Sequence, residues 1–166
     1  MGETYRVSLA PGTPYASWMD EPLRLARTCL AHGDVPVGAV VLDRGGTIIG
    51  RGHNVRERDH DPTGHAEVLA LREASRHLGT WRLSGCTLVV SLEPCLMCAG
   101  ALIQARIDRV VFGAWDDKAG ACGSVWDVVR DRAALHQVEV VAGVREPECA
   151  ALLTDFFAGH RRPTGE

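Results

Sequence analysis

Residues 86–113 read CTLVVSLEPCLMCAGALIQARIDRVVFG. The run from Cys86 to Leu92 is apolar and rich in β-branched residues, with the length of a buried strand, and it stops at Glu93 and Pro94. Pro94 suits the first turn of a helix, where its missing N–H would have no partner. Cys95, Cys98, Ala99 and Leu102 then fall on one side of that helix. Arg109 to Gly113 is a second strand. Strand, helix and strand in so short a span make a crossover unit, the building block of α/β folds.

The rest of the chain follows from this unit. Upstream, Val35–Leu42 and Thr47–Ile49 flank Asp43-Arg44-Gly45-Gly46, whose glycines accept positive φ, so the pair reads as a hairpin whose second strand runs on towards His53 and Asn54. Ahead of it, Ser17 or Asp20 is placed to cap a helix that carries Leu23, Leu25, Ala26, Cys29 and Leu30 at helical spacing, with Pro22 near its start, and ends at Gly33. A polar loop, Val55–Gly64, leads to a helix beginning near His65, with Glu67, Leu71, Ala74 and Leu78 on one face and Gly79 at its end. Beyond the crossover unit come a loop with Asp116, Asp117, Gly120 and Gly123, a short helical stretch around Val125–Arg130, a fifth strand at Val138–Ala142, and a last helix from Pro147 to His160 that buries Cys149, Leu152, Leu153 and Phe156. The expected architecture is α/β: a three-layer α/β/α sandwich around a five-stranded mixed sheet, an antiparallel pair first and crossovers after it. In open sheets of this kind ligands bind beyond the carboxyl ends of the strands.

Composition narrows the class. The chain has 166 residues, 46% hydrophobic and 23% charged, enough for one domain with a full core. Eighteen Lys plus Arg against 21 Asp plus Glu give a net charge of −3, which excludes a polybasic binder held by bulk electrostatics. Lys118 is the only lysine, so the basic surface is arginine, suited to planar contacts with phosphate and bases. Six cysteines fall short of a disulfide scaffold, and two form a C-x-x-C, which places the protein in a reducing, cytoplasmic compartment. The first sixteen residues lack an apolar signal core, and Glu93 splits the longest apolar run, so no membrane span is expected. Residues 1–16 read as a mobile extension, 17–162 as the domain, and 163–166 as a tail.

Chemistry concentrates at His65-Ala66-Glu67 and Pro94-Cys95-Leu96-Met97-Cys98. One imidazole and two thiolates suit zinc, and cysteines at i and i+3 in a first helical turn project to the same side. The helix dipole there favours the thiolate. Three protein ligands leave a fourth position for water, the mark of a catalytic site. Glu67, about 200° from His65 around an ideal helix, is freed for proton transfer. A structural zinc or a redox dithiol is the bland alternative. Cys122 is a conceivable fourth ligand, with a small loop residue as the default, while Cys29, Cys86 and Cys149 fit core positions.

This pairing of H-x-E with P-C-x-x-C resembles the zinc-dependent nucleobase deaminases, for which it is the established signature. The likeness narrows to the bacterial tRNA-specific adenosine deaminases through Asp34-Val35-Pro36-Val37-Gly38-Ala39, Asn54, Asp61-Pro62-Thr63-Gly64-His65-Ala66-Glu67, Ser91 through Ala101, Arg109-Val110-Val111-Phe112-Gly113-Ala114 and Cys149 through Leu153, and it spans about Trp18 to Arg162. What the resemblance implies is a cytidine-deaminase-like fold, one Zn2+ per chain on His65, Cys95 and Cys98, and a homodimer. It also implies hydrolytic conversion of adenosine to inosine at the wobble position of a tRNA anticodon, that of an arginine tRNA, with Glu67 as proton shuttle. Asn54 is implied as the base-recognising amide, Val35, Ala66 and Pro94 as substrate contacts, and Asp116 as lining the RNA path. Two residues depart from the family: Gly64 replaces Ala, and Trp115 replaces a polar or basic residue, where an indole could stack on a base. Asn54 alone would read as a turn cap. Arg51, Arg56 and Arg58 suit RNA phosphate, but interleaved acids make a solvated loop an equal reading. A free guanine or cytosine deaminase, and a zinc-stabilised RNA-binding module without catalysis, are the alternative functions.

Overall fold

A computed structural model of the chain describes residues 14–160. Its sheet has five strands in the order β2-β1-β3-β4-β5. They are β1 (Gly38–Leu42), β2 (Ile48–His53), β3 (Thr87–Leu92), β4 (Arg109–Ala114) and β5 (Glu139–Val141). β1 pairs antiparallel with both β2 and β3, whereas β3–β4 and β4–β5 are parallel, so the sheet is mixed as expected. The hairpin turns through Gly46 at φ +84, a conformation a side chain would strain.

Both faces of the three central strands are buried, and the period of two divides their side chains between two cores. Ala39, Val41, Leu88, Val90, Val110 and Phe112 point to one face, where α3 (Ala66–Leu78) and α4 (Leu96–Ala105) lie. Val40, Leu42, Val89 and Val111 point to the other, where Met19, Leu23 and Cys149 come from the segment around α2 (Asp20–Thr28) and from α5 (Glu146–Gly159). The result is the three-layer α/β/α sandwich. Gly50 and Gly52 on β2 let α3 lie directly on the sheet: a Cβ at Gly52 would sit 2.1 Å from the Ala66 carbonyl oxygen, and one at Gly50 2.3 Å from that of Ala70.

Several expectations are corrected. Helix formation begins at α1 (Tyr15–Trp18), ahead of the expected domain start, and the Tyr15 ring meets Trp18 edge-on at 5.2 Å. Neither Ser17 nor Asp20 caps: the cap positions are Pro14 and Met19, without side-chain cap bonds. Leu30 is 46% exposed, because Cys29–His32 winds as a 3-10 helix and the extra rotation per residue carries it off the buried stripe. Leu78 is exposed, and Leu152 and Leu153 are only half-buried. Pro94 lies before α4 rather than in its first turn, since Cys95 still bridges to Gly120 in extended conformation. Only Val128–Arg130 of the expected Val125–Arg130 helix winds, as a 3-10 turn, because the preceding residues form a tight turn that the Cys122–Asp127 bridge closes. Residues 1–13 of the expected extension, and the tail with Arg161 and Arg162, lie outside the described residues. No helix among them is long and apolar enough to cross a membrane.

Candidate active site

The site forms where α3 and α4 begin. His65 is the N-cap residue of α3, at φ −87 and ψ 149, and Cys95 is that of α4, at φ −71 and ψ 174. Cap positions usually hold Ser, Thr, Asp or Asn, whose side chains satisfy free N–H groups at a gain of about 1 kcal/mol. Here neither side chain makes a cap bond, so both are free to turn towards each other. Because His65 is extended rather than helical, the 200° separation expected between it and Glu67 does not apply; the turn into the helix sets their divergence instead.

Cys98 lies in the first turn of α4, and its Sγ is 3.5 Å from His65 Nδ1; Cys95 Sγ is 3.6 Å from the same nitrogen. All three donor atoms lie within 4.8 Å of one another. Tetrahedral zinc with ordinary Zn–S and Zn–N bonds requires an S···N separation of roughly 3.6 Å, so the donors fit that ion as they stand. The same donor set, two soft thiolates and an imidazole, selects zinc over magnesium or calcium. Cys122 is fully buried and outside this group, which removes it as a fourth ligand. Cys29, Cys86 and Cys149 are buried in the core as expected.

Among these donors, the neighbouring Cys98 thiol and then His65 bring the Cys95 thiol down to about 4. Cys98 moves the other way, pushed up by the Cys95 sulfur and by burial, and the bond to Cys95 raises His65. Glu67, in the first turn of α3, is 4% exposed, and burial pushes its carboxyl up to about 7. It lines the same cavity as His65 and Cys95, a space of about 200 Å3. Sites for drug-sized ligands hold roughly 300–1,000 Å3, so this one encloses a single small ring system.

Val35, Asn54, Ala66 and Asp116 line the cavity, as does Arg56. The Asn54 side-chain N–H donates to the Val35 carbonyl at 3.2 Å, and its Oδ1 accepts from the Arg56 amide at 3.1 Å. An amide has two N–H groups and two lone pairs, so these bonds use one of each: Asn54 is a turn cap and a cavity residue at once. The Asp116 carboxylate accepts from the Lys118 and Ala119 amides, so it closes its own turn. Pro94 is buried behind the wall, its carbonyl accepting from Ala121 at 2.8 Å, and it is not among the lining residues.

Trp115 is likewise absent from the lining. Its indole packs edge-on against Phe112 at 4.9 Å and is half-buried against the core. A Cβ at Gly64 would meet Val55 Cγ2 at 2.9 Å, so glycine suits this loop. Arg51 pairs with Glu21, Arg56 with Glu57 and Arg58 with Asp59, which is the solvated-loop arrangement.

Two buried carboxylates escaped the sequence reading as functional residues. Asp34, 1% exposed, accepts from the Glu57 and Arg58 amides, and Glu93, also 1% exposed, accepts from those of Asp116, Cys122 and Ser124. The interruption of the Cys86–Leu92 apolar run by Glu93 was the available signal: a charge there needs partners.

The fold and this donor set define a zinc-dependent deaminase of nucleobases, and the chain belongs to the cytidine and deoxycytidylate deaminase family, whose zinc-binding region matches residues 13–114. It is 46% identical to the tRNA-specific adenosine deaminase of Bacillus subtilis (strain 168) over 145 residues, 87% of this chain and 89% of that one. At that identity and coverage its place in the family is with the tRNA-specific adenosine deaminases. A solved structure from work on A-to-I editing by tRNA:A34 deaminases superposes with a TM-score of 0.79 at 39% identity, over 82% of this chain and 99% of that one. The guanine deaminase of Nitrosomonas europaea follows at 0.73 and 31%, over 92% and 87%.

Proposed function

We propose that the protein converts adenosine to inosine by hydrolytic deamination at the wobble position of a tRNA anticodon, with an arginine tRNA as its substrate. The observation that carries the reaction class is the convergence of His65 Nδ1, Cys95 Sγ and Cys98 Sγ at tetrahedral spacing beside the buried Glu67 carboxylate, in a cavity sized for one base. The choice of a tRNA adenosine over a free base is supported by the relatives: the tRNA-specific and A34 deaminases match at higher identity and TM-score than the guanine deaminase.

Zinc held by the three donors supplies Lewis-acid activation of water at neutral pH. Glu67 takes the proton of the attacking water and delivers protons to the ring nitrogen and then to the departing ammonia, so water and adenosine give inosine and ammonia. Asn54 holds the hydrogen-bonding edge of the base with its remaining N–H and lone pair. Val35 and Ala66 close the apolar sides of the cavity, and Asp116 sits at the wall facing the RNA. The base has to leave its stack to reach this depth. The protein acts in the cytoplasm as a homodimer, a reading supported by the family resemblance and by the exposed Leu96 and Met97 on α4.

The test uses zinc-loaded protein and an anticodon stem-loop with a wobble adenosine, inosine being read by mass or sequencing. Conversion that disappears in Glu67→Ala, with zinc retained, is expected. No conversion at one zinc per chain overturns the RNA reading and moves the assay to free purines and pyrimidines, followed by ammonia release.

A further inference from the structure

We propose that Glu93 is a positioning residue: its buried carboxylate fixes the wall of the base pocket formed by the loop 116–124, and through that wall sets how tightly the RNA is held. The proposal rests on the tRNA reading above for its substrate, and on geometry for the rest.

Glu93 follows the last residue of β3 and is 1% exposed. Its two oxygens divide the loop between them. Oε2 accepts from the Asp116 amide at 2.9 Å, and Oε1 accepts from the Cys122 and Ser124 amides, each at 3.0 Å. Both ends of the loop are thus pinned to one side chain. Only a carboxylate offers acceptors in both directions with no donor to misplace.

The loop is shaped around this group. A Cβ at Gly120 would lie 2.2 Å from Glu93 Oε2 and 2.3 Å from its Cδ, so no side chain is possible there while Glu93 holds its place. The Ser124 hydroxyl donates to the Asp116 carbonyl at 2.7 Å and closes the two ends on each other. The loop supplies Asp116 and Ala119 to the pocket. The zinc donors and Glu67 stand on other elements, the starts of α3 and α4. The loop also meets the start of α4 through backbone, by the Cys95–Gly120 bridge and the bond from the Ala121 amide to the Pro94 carbonyl. Glu93→Gln removes neither, so loosening the carboxylate moves the ends of the wall at Asp116 and Ser124 ahead of the reacting groups.

Glu93→Gln tests this, because the isosteric amide must turn its NH2 against a backbone N–H. Expected are an unchanged zinc content of one per chain, a KM for the wobble-adenosine stem-loop raised about tenfold by loss of a buried charge-assisted bond, and a kcat within about threefold of the parent. Amide hydrogen exchange at Asp116, Cys122 and Ser124 accelerates while that of β3 and β4 does not. Gly120→Ala presses on the same carboxylate and on the Ser124 hydroxyl and serves if Glu93→Gln does not fold; it should raise KM and speed the same amide exchange, with zinc content measured alongside because Gly120 bridges to Cys95. Unchanged KM with unchanged exchange overturns the proposal. So does loss of kcat and zinc at constant KM, which would assign Glu93 to the metal helix. A parent protein that leaves the stem-loop unedited refutes the tRNA reading instead, and the exchange measurement then decides the role of Glu93 by itself.

Discussion

Replacing Gly52 by alanine probes how the sheet sets the position of the site. The new Cβ would lie 2.1 Å from the Ala66 carbonyl oxygen and 2.7 Å from the Ala70 nitrogen, where ordinary contact begins at 3.4 Å. Those are backbone atoms of α3, so no side-chain rotation relieves the overlap, and the first turn of the helix has to retreat by about an ångström. His65 and Glu67 ride on that turn, while Cys95 and Cys98 stay on α4. The 3.5 and 3.6 Å separations from His65 Nδ1 then exceed what one tetrahedral ion can span.

Overpacking of this kind costs about 1–3 kcal/mol, which in a domain of this size lowers the melting midpoint by roughly 2–10 °C. Displacing a reacting group by an ångström costs about a hundredfold in rate. The expected result for Gly52→Ala is therefore a modest loss of stability with a large loss of zinc affinity and of deamination. Gly50→Ala is the control, since its Cβ would meet the Ala70 carbonyl at 2.3 Å, one turn beyond the site. It should cost similar stability and far less activity. Thermal unfolding, zinc titration and the stem-loop assay on both variants decide the matter. Equal kcat/KM in the two variants, or parental activity in Gly52→Ala, would refute the reasoning.

Three other outcomes are expected. Cys98→Ser should drop zinc, measured by elemental analysis, from one per chain to near zero and abolish turnover; a variant that keeps its zinc would contradict the ligand set. Asn54→Ala loses its bonds to the Val35 carbonyl and Arg56 amide, so stability should fall by about 1–3 kcal/mol, and KM should rise as well; unchanged kinetic constants would reduce Asn54 to a turn cap. Glu21, hydrogen-bonded by Arg24 and then Arg51, is held down at about 2 against an ordinary 4.5. A depressed carboxyl stabilises the fold above its unfolded pKa and loses that contribution as pH falls through the folded one. At this exposed position the contribution is about 0.5–1 kcal/mol after screening, so Glu21→Gln should melt lower than the parent at pH 6, and the gap should close towards pH 2. A gap independent of pH would place the effect elsewhere.

Periodicity made most of the fold legible. The strands alternate between two apolar cores, glycines at positions 33 and 79 end their helices at positive φ and Gly46 turns the hairpin, so β1 to β4 and the helices between them follow from pattern and punctuation. What pattern could not supply was the winding of short segments. Leu30 left the core because four residues wind as a 3-10 helix, and Val125–Asp127 stayed out of a helix because a bridge between residues five apart in sequence closes a turn there. Local spacing cannot report either. Trp115 shows the same limit from the other side: an indole next to a loop carried no sign that Phe112, three residues back, would hold it inward.

The zinc donors and Glu67 were legible because their spacing is local, His65 and Glu67 at i and i+2 in one segment and Cys95 and Cys98 at i and i+3 in the other. The wall residues Val35, Asn54, Ala66 and Asp116 came with the family resemblance and do line the cavity; what holds them was not legible, because it depends on buried carboxylates that bond backbone amides 23 to 31 residues away. Asp34 pins the loop that carries Arg56, and Glu93 pins the loop that carries Asp116. The two loops line the same cavity, each held by a charge that water does not reach. The reacting groups stand on helix starts packed against the sheet, and the walls hang from side chains. The Asp116 loop is tied to the metal side only by backbone, at Cys95–Gly120 and Pro94–Ala121, and Glu67 stands on the other helix start: a change in either loop's carboxylate anchor should alter how the base is held before it disturbs the proton path through Glu67, whereas a change beneath α3, at Gly52, disturbs the chemistry first.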